Sequence, residues 1–149
     1  MFNLNSKGCK LDFSKKSALL IRILRNTFGM SQSDLSECAK IARPTISRLE
    51  KLETDGVKVD TLEKALAFFQ AQGVEFGFDN NGVTIHLPMH VLAKACILIQ
   101  ENTHARGGVN DVPSIGQSNA VAKASFPYAR KENESIAAYI QRLDQELSQ

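Results

Sequence analysis

Few side chains in this sequence have types and spacings suited to covalent or metal chemistry. His86 and His90 are four apart, but His86 falls in a predicted strand, Pro88 intervenes and no third ligand is near, so no metal site is expected. Cys9, Cys38 and Cys96 are odd in number and show no CxxC spacing, which argues against a disulfide framework and a thiolate zinc site, and fits a reducing compartment. Cys9 and Cys38 lack a His or basic partner at a catalytic spacing and read as small inert thiols. No GxSxG, phosphate-cradling loop or paired-carboxylate arrangement occurs. Neither an enzyme nor a cofactor is expected.

Charge is more informative. The net of +2 hides an imbalance: residues 1–60 carry 11 Lys/Arg against 7 Asp/Glu, and residues 61–149 carry 7 against 9. A phosphate-facing surface is therefore sought in the first part, although so small an excess supports a motif without replacing one. With 149 residues there is room for one ordinary core and an appendage. The N-terminus has no apolar leader, and the longest apolar run, 91–99 with Lys94 inside it, is far short of the roughly 20 residues of a membrane span. The expectation is a cytoplasmic protein without membrane partners.

The elements that must position any such surface are mainly helical. Residues 1–14 read as an N-terminal arm. Helical periodicity follows Ser14, taken as the cap, with Ala18, Leu20, Ile21, Leu24 and Phe28 as a buried face that Gly29 ends. Ser31 caps a second helix with Asp34 in its first turn, and Leu35, Cys38 and Ala39 are its inner face. A third runs from about Arg43 to Leu52, with Pro44 in the first turn and Ile46 and Leu49 inward. Asp60 or Thr61 caps a fourth, with Leu62, Ala65, Leu66 and Phe69 as its stripe.

After Gly73 the period changes. Residues 74–78 and 83–87 alternate around an Asn-Gly turn signal at Asn81-Gly82, which predicts a β-hairpin. A lone hairpin is marginal in water and needs a covering helix or the hairpin of a second chain. A helix over 89–102, apolar nearly all round, is a candidate oligomer core, so 74–102 is read as a dimerisation region. Residues 103–119 read as a linker and 120–149 as a helical tail, with a short helix near Ala120 to Ala124 and an amphipathic one over 133–149.

The stretch from Ser31 to Glu50 resembles the helix-turn-helix of the lambda-repressor-like (XRE-type) family. Gln32 opens the second helix, Leu35, Ala39 and Ile41 are the buried contacts of the turn, and Thr45-Ile46-Ser47-Arg48-Leu49-Glu50 closes the third. The resemblance spans about 18–74. It implies a mainly α fold, with a helix-turn-helix bundle over 15–73, followed by the hairpin and C-terminal helices. It also implies an ion pair between Arg25 and Glu50 that ties the first helix to the third. The sequence departs from the family at Lys40, where glycine is usual, and at Ala42, where a Ser or Thr cap is usual; Lys40 would then take a left-handed backbone at a cost of order 1 kcal/mol.

What the resemblance implies about function follows from groove dimensions: a helix fits the major groove, and its N-terminal side chains reach base edges. Arg43, Thr45 and Arg48 would lie on that face, with Ala42, Pro44 and Ser47 beside them. Either arginine could pair with guanine O6 and N7, and Ala42 or the Thr45 methyl could touch a thymine methyl. Gln32, Lys51 and Lys58 are phosphate candidates. The plain alternative for each is a solvated helix face. The leading expectation is a dimeric transcriptional repressor on a pseudo-palindromic operator in double-stranded DNA. The alternative is an antitoxin that also neutralises a protein toxin through its C-terminal region, and a ligand-sensing regulator is a third reading.

Overall fold

The computed structural model describes residues 11–105 and 128–149, the side chains of 104 and 105 excepted. Six helices and one two-stranded antiparallel sheet form in the order α1 (Phe13–Thr27), α2 (Gln32–Ala39), α3 (Arg43–Glu50), α4 (Val59–Ala71), β1 (Glu75–Asp79), β2 (Gly82–His86), α5 (Met89–Ala105) and α6 (Ile136–Leu147) among the described residues. Most of the arm, most of the expected linker and the short helix expected near Ala120 to Ala124 lie outside them.

Helix α1 starts before Ser14, because the Asp12 carboxylate accepts the Lys15 amide at 2.8 Å and takes the cap position expected of Ser14. Its inner face of Ala18, Leu20, Ile21 and Leu24 is fully buried. Gly29, at φ +62, reverses the chain, and the Met30 amide returns to the Arg25 carbonyl at 3.1 Å. Ser31 then makes a reciprocal capping box with Asp34: Ser31 Oγ accepts the Asp34 amide, and the Asp34 carboxylate accepts the Ser31 amide.

Lys40 ends α2 in the left-handed region, with φ 58 and ψ 46. The turn is held without glycine by two bonds across it. Ser36 Oγ donates to the Ile41 carbonyl at 2.6 Å, and the Ile41 amide donates to the Ser36 carbonyl at 3.3 Å. Helix α3 stops at Glu50, two residues before the expected end, because Leu52 takes φ 60. Helix α4 begins at Val59 with no side-chain cap. Asp60, expected as a cap, instead lies in the first turn, where its charge suits the helix dipole.

The four helices close one core around Phe28, Leu35, Ile46, Leu49, Leu62 and Phe69, with the Phe28 and Phe69 rings 5.7 Å apart. The hairpin pairs Glu75 with His86 and Phe78 with Val83. Its loop residues are Asn80 and Asn81, while Gly82 opens β2. The turn is therefore fixed by Asp79, whose carboxylate accepts the Asn81 and Gly82 amides, and not by an Asn-Gly pair within the loop. The apolar face of Phe76, Phe78 and Ile85 is half-buried, and Phe78 meets Phe13 of α1 edge-on at 6.0 Å.

Helix α5 continues to Ala105, into the expected linker. Its inner side carries Val91, Ala95, Leu98 and Lys94, all buried. The Lys94 ammonium pairs with Asp144 of α6 and donates to the Gln72 side chain at 3.0 Å, joining α4, α5 and α6. Helix α6 begins at Ile136, not at Asn133, because Asn133 sits at φ 63 and Ser135 supplies the cap. Its face of Ile136, Tyr139, Ile140 and Leu143 is buried, and the helix packs on α2 and α5. An apolar tail surface that suited an outside partner is thus covered from within the chain.

Candidate nucleic-acid interface

The physical task of a reading helix is to present a polar side while its other side is gripped. On α3, Ile46, Leu49 and Glu50 point into the core. Helical geometry then sends Pro44, Arg48 and Lys51 outward along one line, with Thr45 and Ser47 on its shoulders. Exposure follows that layout: Ala42, Arg43, Pro44, Arg48 and Lys51 are exposed, and Thr45 and Ser47 are half-buried. Lys58, just before α4, is exposed as well.

The grip centres on Glu50. Arg25 from α1 forms a two-pronged ion pair with its carboxylate, Nε on Oε1 and Nη2 on Oε2, the second at 2.9 Å. The same guanidinium donates to the Met30 carbonyl at 2.6 Å, so it also fixes the turn before α2. Gln32 Nε2 donates to Glu50 Oε2 at 2.9 Å. Burial pushes the Glu50 carboxyl up, but the hydrogen bonds from Arg25 and Gln32 and the charges of Arg25 and Arg22 outweigh it, leaving the group below the usual carboxylate range.

This network places two candidates differently from a free reading surface. Gln32, expected at a phosphate, spends its amide nitrogen on Glu50, and the nearby Asp34 carboxylate already complements the start of α2. Arg48 lies on the outward line, but its guanidinium bends along the surface to donate to the Asp55 carbonyl at 2.8 Å. Arg43 stands at the first position of α3, exposed, beside Ala42 and Pro44. Ala42 gives α3 no side-chain cap. The N-terminal end of α3 therefore presents Ala42, Arg43 and Pro44, while Arg48 and Lys51 sit toward its other end.

One positioning residue escaped the sequence reading. Arg22 Nη1 donates to the Glu50 carbonyl at 3.3 Å and braces the C-terminal end of α3. Its signal was its place one turn before Arg25 on the same helix, which carries both guanidiniums to the same partner. The docking of α6 on the back of α2 had no such local signal.

Among the described residues no group of three or more His, Cys, Asp or Glu could hold a metal, and no helix is long and apolar enough to cross a membrane. A family model described as the Cro/C1-type HTH DNA-binding domain matches residues 21–72, which covers α1 from its middle through α4. No curated protein and no solved structure matches the chain. With α2 and α3 meeting at the Lys40 turn and α3 held outward by the Arg25–Glu50 pair, residues 21–72 match the Cro/C1-type helix-turn-helix DNA-binding domain, consistent with the lambda-repressor-like, XRE-type family, and this domain supports a DNA-binding transcription regulator.

Proposed function

We propose that the chain is a dimeric, sequence-specific repressor that reads a pseudo-palindromic operator through α3. The observation that carries this reading is the asymmetry of α3: its inner side is locked to α1 by Arg25, Arg22 and Glu50, and its outer side offers Arg43, Thr45, Ser47 and Arg48. Arg43 is the principal base reader, because its side chain stands exposed at the end of the helix that enters the groove first. Arg48 and Thr45 are secondary readers, and Lys51 and Lys58 face phosphates. Gln32 serves mainly to orient Glu50.

Two copies are needed for energetic reasons. One eight-residue helix supplies few base contacts, each good bidentate pair giving about 1–3 kcal/mol, whereas specific sites exceed nonspecific DNA by about 4–10 kcal/mol. Occupancy of a promoter-overlapping operator would block transcription. A toxin-neutralising role through the tail would require α6 to leave α2 and α5, exposing Ile136, Tyr139, Ile140 and Leu143.

Selection of bound sites from random duplex DNA at one fixed salt concentration tests the proposal. It predicts an inverted repeat with half-sites about 10 base pairs apart, centre to centre, or a multiple of that. Recovery of no enriched sequence would overturn it.

A further inference from the structure

Helix α5 is apolar on two sides, and the second is only partly covered within the chain, where Ile99 at its C-terminal end lies against Gly29. The inner side, Val91, Lys94, Ala95 and Leu98, is buried against the rest of the molecule. On the outer side Met89 is 81% exposed, Leu92 39% and Ile99 43%, and Cys96 between them is also exposed. We propose that this outer stripe, Met89, Leu92, Cys96 and Ile99, is the surface on which two copies of the chain pair. The inference rests on the dimeric reading above and narrows the expected dimerisation region, 74–102, to one face of α5.

Two features point to a second copy as the occupant. The stripe advances by three, four and three residues, the spacing that keeps one seam of a helix facing another helix. From Met89 to Gln100 the only formal charge is Lys94, and its ammonium is turned inward to Asp144 and Gln72. Around a twofold axis the residues nearest the axis face their own copies, so a charge there would meet its like. A neutral stripe flanked by Ala93 and Gln100 satisfies that condition. A partner of different sequence is ordinarily selected by charges at the flanking positions, and here there are none.

Four apolar side chains per copy make a small patch, which suits a dimer that operator DNA further stabilises.

The test uses the full chain at micromolar concentration, with mass in solution read by sedimentation. Met89→Glu and Leu92→Glu place carboxylates on the stripe, and Val59→Glu, at 50% exposure outside α5, is the control. Met89 is so exposed that its variant leaves the chain's own core intact, and circular dichroism and thermal melts verify the fold of each. The wild type is expected near twice 16.4 kDa, with the two α5 variants weakened on the order of a hundredfold toward a single chain and the control unchanged. Thiol labelling gives an independent readout. Cys96 is expected to be protected in the wild-type dimer and reactive in Leu92→Glu, while Cys38, whose thiol burial pushes up to about 12, stays inert in both. A wild-type dimer that persists in both α5 variants would overturn the interface and leave the dimeric reading intact. A wild type that is a single chain both free and on operator DNA would overturn both.

Discussion

Arg25 and Glu50 meet guanidinium to carboxylate across the junction of α1 and α3, with Gln32 of α2 closing on the same carboxylate. All three helices of the reading unit are thus fastened at one point, and Glu50 is 8% exposed. Removing one partner of such a pair leaves the other charge stranded. Glu50→Ala is expected to cost about 3 kcal/mol in chemical denaturation, and a joint Arg25→Met, Glu50→Leu replacement distinctly less than the single change. Equal losses from the two would show that the ion pair is not what holds α3.

Acid should loosen the same point. Because the folded pKa of Glu50 lies below its ordinary value of 4.5, the stability it contributes is fully present above that value and is lost as pH falls through the folded pKa. Glu134, held down to about 2 chiefly by its hydrogen bonds from Arg142, acts the same way at the start of α6, with its contribution lost between pH 4.5 and about 2. Denaturation midpoints measured from pH 6 to 2.5 should decline below 4.5, and Glu134→Gln should flatten the decline at the acid end.

Lys40 holds a left-handed conformation that glycine adopts freely, and its side chain is exposed. Lys40→Gly should therefore stabilise the domain by about 1 kcal/mol, against the usual effect of introducing glycine. A loss of stability would mean that the Ser36 and Ile41 bonds across the turn already relieve the strain.

Ser17 is fully buried on α1, and its hydroxyl finds no hydrogen-bond partner among the described residues. Ser17→Ala removes a desolvated polar group and improves helix propensity, and a gain of about 0.5–1 kcal/mol is expected in thermal or urea unfolding.

The sequence showed most where the physics is local. The Ser31 cap followed by Asp34, the inward spacing of Ile46 and Leu49, and the left-handed demand on Lys40 each depend on residues a few positions apart. Boundaries were less legible, since Asp12 and Ser14 are both competent caps and only the packing of α1 chooses between them. The alternation of 74–78 identified a hairpin but not its cover, which is the helical core, with Phe13 from the other end of the domain meeting Phe78. Least legible were contacts across long separations: Lys94 reads as a break in an apolar helix until Gln72 and Asp144 are seen around it. At the candidate site, Gln32 and Arg48 looked free on a helix surface, and only the fold brings Glu50 and the Asp55 carbonyl within their reach.

The central claim is that the exposed start of α3 reads bases, with Arg43 as the principal reader. The most direct measurement compares the affinity of wild type and Arg43→Ala for a selected operator and for an unrelated duplex of equal length, at one salt concentration. The account predicts that Arg43→Ala loses about 1–3 kcal/mol on the operator, relaxes preference at one base pair per half-site, and changes binding to the unrelated duplex far less. An equal loss on both duplexes would make Arg43 a phosphate contact only and would contradict the assignment of base reading to this end of α3.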